Sequence, residues 1–228
     1  MEAIVLAGGK GTRLQSVVSD VPKPMADING RPFLEYLLHS LSTKGVGKII
    51  LSVGYKHDIV SSYFSNNFEG MDISYAIENV PLGTGGALVE SLKQVSERNV
   101  LLLNGDSLFD VDVKQLYEYH KLHDFDVTLA LKEMYDFERY GTVTVDNNKV
   151  IDFEEKVYKK SGLINGGVYV LKSSLLSSIP HSEKFSFEAD VLQKYVDQLS
   201  IGAFIDNAYF IDIGIPEDYE KAQHDLKK

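Results

Sequence analysis

Cysteine and tryptophan are absent from the 228 residues, and only six prolines and four methionines occur. Without cysteine there is neither a disulfide framework nor thiolate chemistry. Long apolar runs are missing too. No stretch approaches the ~20 residues needed to cross a bilayer, and Glu2 stands where a signal peptide would carry basic charge. A cytoplasmic location is therefore expected, with no membrane partner. Positive charge is scarce: 23 Lys and Arg face 33 Asp and Glu, a formal net charge of −10. Such a balance argues against a nucleic-acid partner, which would require a basic face. It does not exclude a small anionic ligand, because such a ligand responds to local charge. The remaining composition, 44% hydrophobic and 25% charged, is that of an ordinary globular protein.

One local cluster does concentrate positive charge. The apolar run Ala3-Ile4-Val5-Leu6 leads directly into Ala7-Gly8-Gly9-Lys10-Gly11-Thr12-Arg13-Leu14, and Lys23-Pro24-Met25 follows shortly after. Glycines let backbone N–H groups approach anionic oxygens unhindered. Lysine and arginine add the charge that neutral amides lack. A bare turn would use the glycines but has no need of Lys10, Arg13 and Lys23, so a polyphosphate-binding loop at a strand end is expected.

The first half alternates strand and helix. Strands are predicted at 3–6, 48–53, 73–77 and 99–103. Helices are predicted from Pro32 to a stop at Gly45, over 58–64, over 86–95, and from the cap Asp112, with Gln115 three residues on, to His123. This rhythm implies an α/β fold: a Rossmann-like, mostly parallel but mixed central sheet with helices on both faces. The second half is more irregular. Extended segments are predicted at 127–134, 142–145, 150–154, 166–171, 201–205 and 209–213, with a hairpin turn at Asp146-Asn147-Asn148. Helices are predicted at 187–196 and from Pro216. No linker or repeat interrupts the chain, so residues 1–228 read as one domain, with one half to about 110 and a second from about 111.

In an open parallel sheet, ligands bind beyond the carboxyl ends of the strands. Asp106 ends the run Val100-Leu101-Leu102-Leu103-Asn104-Gly105, and Asp212 follows Tyr209-Phe210-Ile211. Aspartates so placed suit Mg²⁺, which takes carboxylate and phosphate oxygens together; singly, each is equally a turn or helix-flanking residue. The segment Pro81-Leu82-Gly83-Thr84-Gly85-Gly86, with Glu78 nearby, offers backbone donors and acceptors to a base edge. Its bland alternative is a helix entry that keeps glycines for packing. His120 and His123 lie three apart on a predicted helix with no third ligand in view, and a solvated face is expected. Glu188 and Asp190 beside Ser186 read as a charged first helical turn.

Rival nucleotide folds fit less well. A P-loop requires G-x-x-x-x-G-K-[ST], whereas here the lysine sits between the glycines. A dinucleotide fingerprint requires a third glycine where Leu14 stands. No Ser/His or Cys/His pair suggests a covalent nucleophile.

Five segments, taken together, resemble the sugar-1-phosphate nucleotidyltransferases. They are Leu6-Ala7-Gly8-Gly9-x-Gly11-Thr12-Arg13-Leu14 with Lys23-Pro24, Asn104-Gly105-Asp106, Phe153-Glu154-Glu155-Lys156, Asn165-Gly166-Gly167-Val168-Tyr169, and Phe210-Ile211-Asp212-Ile213-Gly214-x-Pro216-Glu217-Asp218-Tyr219. Val157 and Ile215 depart from the common pattern without removing a charge. The resemblance implies a three-layer α/β/α, glycosyltransferase-A-like fold. It also implies transfer of a nucleoside monophosphate from an NTP to a sugar 1-phosphate, with Mg²⁺ as cofactor. It assigns Arg13 and Lys23 to the triphosphate, with Leu6, Ala7, Gly8, Gly9, Gly11, Thr12 and Asn104 around the nucleotide. Glu78, Pro81, Gly83 and Thr84 fall near the base, and Asp106 and Asp212 on the metal. Gly105, Glu155, Lys156, Asn165, Gly166 and Glu188 fall around the sugar phosphate. The wording of residues 81–87 is similar to the guanylyltransferases that act on mannose or D-glycero-α-D-manno-heptose 1-phosphate, so GTP is the expected donor. Uridylyl, thymidylyl or cytidylyl transfer, or a nucleotide sensor on the same fold, are the alternatives. Oligomeric state is unreadable, a homodimer being compatible with the sequence.

Overall fold

A computed structural model describes residues 1–9, 14, 20–154 and 156–227. In chain order its first half comprises β1 (Glu2–Leu6), β2 (Asp27–Ile28), β3 (Arg31–Pro32), α1 (Phe33–Thr43), β4 (Lys48–Val53), α2 (His57–Phe64), β5 (Asn67–Phe68), β6 (Met71–Ile77), α3 (Gly83–Leu92), β7 (Asn99–Asn104), β8 (Ser107–Phe109) and α4 (Val113–His123). The second half adds β9 (Val127–Phe137), β10 (Thr142–Asp146), β11 (Lys149–Glu154), β12 (Lys159–Lys172), β13 (Ile201–Ile205), β14 (Phe210–Asp212) and α5 (Pro216–Asp225).

Ten strands form one sheet in the order β10-β11-β13-β9-β12-β7-β1-β4-β6-β5. Neighbours within β7-β1-β4-β6 run parallel, as do β9 and β13. β12 joins the two blocks, antiparallel to both β7 and β9. The sheet is therefore mixed, with its four-strand parallel block drawn from the first half of the chain and the parallel pair β9 and β13 from the second. Strand alternation divides the core into two layers. Ala3 and Val5 of β1 face the apolar stripes of α1, α2 and α4, including Leu34, Phe64 and Leu116. Ile4 faces the opposite side with Leu88 of α3 and the residues Leu175, Phe187 and Leu192. Helices on both faces of a central sheet give three layers.

Local chemistry explains most element boundaries. The Asp112 carboxylate accepts from the backbone N–H of Lys114 and Gln115, both at 3.0 Å, and caps α4. Asn147 and Asn148 both have positive φ, 46° and 65°, and close the β10–β11 hairpin. Several boundaries differ from expectation. α3 opens at Gly83 rather than 86, because Gly83 takes φ +73° beside Phe185 and its neighbours continue the helix. The predicted helix at 187–196 has a π-helical stretch at Glu188–Gln193. β9 and β12 run past 134 and begin before 166, since each supplies the other's ladder partner out to Phe137 and Lys159. His120 is buried rather than solvated. It lies on the same stripe as Val113, Leu116 and Tyr117, and its Nδ1 meets the Thr128 hydroxyl at 2.9 Å. His123 is exposed and stacks on Phe125. Among the described residues, no helix is long and apolar enough to cross a membrane.

Candidate active site

The carboxyl ends of β1, β4 and β7 open onto one cleft of about 700 Å³. Leu6, Gly8 and Gly9 enter it from β1, Gly54 and Tyr55 from β4, and Asn104 and Asp106 from β7. Close backbone approach shapes this floor. The Gly105 N–H donates to the Leu6 carbonyl at 2.9 Å, and a Cβ on Gly105 would lie 2.7 Å from that oxygen. A Cβ on Gly8 would lie 2.9 Å from Glu78 Oε1, whereas one on Gly9 would meet nothing within 4 Å. Gly8 is thus closely flanked by the Glu78 carboxylate and, at 3.3 Å, by the Gly54 nitrogen, whereas Gly9 borders open space in the cleft. Lys10, Gly11, Thr12, Arg13 and Glu155 lie outside the described residues.

Lys23 begins a short 3-10 turn, Lys23–Met25, which is pinned by buried Pro24 and Met25. Its ammonium lies 2.7 Å from Asp106 Oδ2 and 3.5 Å from Asp212 Oδ1. Two further connections bring these three residues together. β14 pairs antiparallel with β8 so that Asp212 stands opposite Ser107, and the Ile213 N–H donates to the Asp106 carbonyl at 3.1 Å. α5, which follows Asp212, is tied to the segment after Lys23: the Tyr219 hydroxyl and the Gln223 amide donate to the Asp27 carbonyl, both at 2.6 Å, and Asn29 donates to the Gln223 carbonyl.

The electrostatics of the trio are uneven. Burial, and secondarily the charge of Asp106, push the Asp212 carboxyl above its ordinary value, against Lys23 and the Gly214 N–H. Tyr140 is raised to about 12 by burial and by the same carboxylates. Beside it, Arg139 pairs with Asp218 in the first turn of α5. Two carboxylates with one lysine between them form a hard-oxygen donor set that fits a divalent cation. Among the described residues no group of three or more His, Asp or Glu converges; Mg²⁺ can be held by one or two carboxylates because it completes its shell with water and substrate phosphates.

On the far wall, Pro81, Gly83 and Thr84 line the cleft with Asn79 and Val80. Gly85 and Gly86 face away from it: a Cβ on Gly85 would strike the Phe185 ring at 2.2 Å, and one on Gly86 the Glu183 carbonyl at 2.5 Å. These two glycines answer to packing. Glu78 accepts from the Leu82 N–H at 3.1 Å and from the Ser52 hydroxyl at 3.4 Å. Asn165 and Glu188 are joined through the buried Tyr169. Gly166 is buried, and the Phe109 ring fills the place of its Cβ. Lys156 is exposed and makes no hydrogen bond or ion pair among the described residues. Sequence reasoning missed Gly54, Tyr55, Asn79 and Gly214 as lining residues. The position of Gly54 at the end of a parallel strand next to β1 was the available signal.

The sequence profile described as "Nucleotidyl transferase" matches residues 2–228. The chain belongs to the nucleotidyl transferase family. Nucleotidyl transferases of this kind generally use a divalent metal ion. A relative from Aneurinibacillus thermoaerophilus, D-glycero-alpha-D-manno-heptose 1-phosphate guanylyltransferase, is 51% identical over 227 residues, covering 100% of this chain and 99% of its own. The protein of the same name from Campylobacter jejuni is 50% identical over 220 residues, covering 96% and 97%. The crystal structure of HddC from Yersinia pseudotuberculosis complexed with GMP-PN superposes with a TM-score of 0.88 at 40% identity, covering 99% of both chains. The nucleotidyl transferase fold is thus common to proteins matched along nearly their whole length.

Proposed function

We propose that this nucleotidyl transferase moves GMP from GTP to D-glycero-α-D-manno-heptose 1-phosphate, releasing pyrophosphate. The observation that carries the reaction type is the convergence of Asp212 with Lys23 and Asp106, the last two of which line the cleft. The choice of base and sugar is supported by identities of 51% and 50% to the two heptose 1-phosphate guanylyltransferases. It is supported too by the fold shared with the GMP-PN complex.

The chemistry needs no general base. A phosphate monoester has a second pKa of about 6, so the sugar phosphate already offers an anionic oxygen at neutral pH. That oxygen attacks the α-phosphorus; the new O–P bond forms as the bond to the bridging oxygen breaks, and that electron pair leaves with pyrophosphate. The residues of the site therefore serve to place two polyanions in line and offset their repulsion. Gly8 and Gly9, with Gly11, Thr12 and Arg13, hold the triphosphate alongside Leu6, Ala7 and Asn104. Lys23 reaches from its ion pairs to the phosphates. Asp106 and Asp212 would hold Mg²⁺, which when bound supplies charge neutralisation to phosphate oxygens. Glu78, Pro81, Gly83 and Thr84 border the base. Gly105, Glu155, Lys156, Asn165, Gly166 and Glu188 surround the sugar phosphate.

The decisive measurement is pyrophosphate release for a matrix of five NTPs against heptose, manno-, gluco- and amino-sugar 1-phosphates. Highest kcat/KM for GTP with the heptose phosphate is expected. Preference for another NTP would overturn the guanylyl assignment, preference for another sugar the heptose assignment, and GTP binding without turnover the enzymatic reading.

A further inference from the structure

One buried ionisable side chain has no place in the transfer chemistry described above. Tyr169, in β12, is fully buried, and its hydroxyl sits within a continuous polar chain. The Asn165 amide donates to the Tyr169 oxygen at 2.8 Å, and the Tyr169 hydroxyl in turn points to Glu188 Oε1 at 3.5 Å. The other oxygen of Glu188 accepts from the Thr84 hydroxyl at 2.7 Å and from Ser186 at 3.1 Å. The Thr84 oxygen itself accepts from the Phe187 N–H at 2.9 Å. At the other end, Asn165 Oδ1 accepts from the Gly167 N–H at 3.1 Å. Each hydroxyl in this run has a donor–acceptor direction consistent with its neighbours.

The two ends carry different assignments. Thr84 lies in the first turn of α3, where it lines the nucleotide side. Asn165 and Glu188 are the residues assigned above to the sugar phosphate, and both are only partly buried. The ladder between β9 and β12 shifts register between Asn165 and Tyr169, so the strand has left regular pairing where the two side chains meet. The Tyr169 ring is held edge-on to Phe187 at 5.7 Å, so the hydroxyl has little freedom to seek another partner.

We propose that Tyr169 is a positioning residue, and that the Thr84–Glu188–Tyr169–Asn165 chain couples the nucleotide wall to the sugar-phosphate side. Glu188 is shared between the hydroxyl of Thr84 and that of Tyr169. Displacement of Thr84 therefore changes what Glu188 presents to the sugar, and removal of the Tyr169 hydroxyl frees both Glu188 and Asn165 from their fixed arrangement. The inference rests on the reading that Asn165 and Glu188 face the sugar phosphate.

The test measures KM for GTP and for the heptose 1-phosphate separately in six variants, with thermal melts to confirm folding. Tyr169→Phe keeps the ring and loses only the hydroxyl. It should raise KM for the sugar phosphate about tenfold, as expected for a lost bond to a charged partner, while KM for GTP stays within about twofold. Thr84→Val, although on the nucleotide side, should raise KM for the sugar phosphate too, and Thr84→Ser should restore it. The double variant Tyr169→Phe/Thr84→Val should be less than additive, since both act through Glu188. If Thr84→Val alters only KM for GTP, or the double variant is additive, the coupling is overturned. Glu188→Ala and Asn165→Ala separate the two levels of the argument. If neither changes KM for the sugar phosphate, the sugar-side assignment fails. If both raise it while Tyr169→Phe does not, only the coupling fails. Should Tyr169→Phe not fold, the Thr84 pair decides the question alone.

Discussion

Lys23 Nζ lies 2.7 Å from Asp106 Oδ2, across 83 positions of sequence, with only 10% of the lysine side chain exposed. A cation so placed is held in advance for the phosphates of the proposed reaction, because the buried Pro24 and Met25 fix its backbone. Asp106 and Asp212 have no other ion-pair partner among the described residues. Lys23→Met preserves length and apolar contact while removing the charge. It should lower kcat about 10²- to 10³-fold, the cost typical of losing one preorganised electrostatic contact. Steady-state pyrophosphate release checks this; a loss under threefold would take Lys23 out of the site.

Asp212 carries a stability cost that varies with pH. Its carboxyl titrates above the ordinary 3.8 in the folded protein, mainly through burial and then through Asp106. The folded state therefore binds the proton more tightly than the unfolded chain. The resulting stability is fully present below the unfolded value and is lost as pH rises through the raised folded one. Asp212→Asn should relieve that cost while reducing turnover by orders of magnitude, since one of the two carboxylates proposed to hold Mg²⁺ is lost. Thermal melts in EDTA at pH 4 and pH 7 check the first part: the variant should gain Tm over the parent mainly at pH 7. A gain that is equal at both values would mean that ionisation of Asp212 is not the cause.

Much of this site is legible in the sequence because strand ends are. An apolar run stopping at Asn104-Gly105-Asp106 places its carboxylate beyond the carboxyl end of β7, whereas Asp212 reaches Lys23 from β14, in a separate two-stranded sheet with β8. The Asp112 cap and the Asn147-Asn148 turn are similarly local, each set within a few residues. What escapes is decided by distant packing. Gly85 and Gly86 look like part of a ligand loop, yet Phe185 and Glu183 explain them, from a segment some hundred residues later. His120 was readable in principle. It continues the apolar spacing of Val113, Leu116 and Tyr117, and a polar residue on such a stripe is a buried one that requires a partner.

The glycines divide by function in a way that substitution should expose. Gly83 has φ +73°, and its absent Cβ would lie 2.4 Å from the Phe185 carbonyl oxygen. Gly83→Ala should therefore cost about 2–4 kcal/mol, combining left-handed strain with a clash against backbone. Gly9→Ala meets nothing within 4 Å and should leave stability unchanged. Because Gly9 borders the cleft, the same substitution should weaken GTP binding. Urea denaturation beside titration with a non-hydrolysable GTP analogue checks both; equal destabilisation by the two would refute the division.

Buried His120 should add to the acid sensitivity of the fold. Burial, reinforced by the charge of Lys172, lowers its pKa from 6.5 to about 4 against the opposing pull of Asp124 and Asp126. The unfolded chain then binds a proton that the folded protein refuses. Stability contributed by the neutral imidazole is present above pH 6.5 and is lost as pH falls toward 4, by at most about 3 kcal/mol. Glu2, lowered to about 2 by its hydrogen bonds from Glu97, Ser96 and Lys48 against the cost of burial, acts in a separate and more acidic window. Replacing both partners, His120→Leu with Thr128→Val, removes the titration without leaving an unpaired hydroxyl. Urea denaturation at pH 7, 5.5 and 4.5 should show a falling limb in the parent and a flatter one in the double variant. An identical slope in the two proteins would transfer the acid sensitivity to other groups.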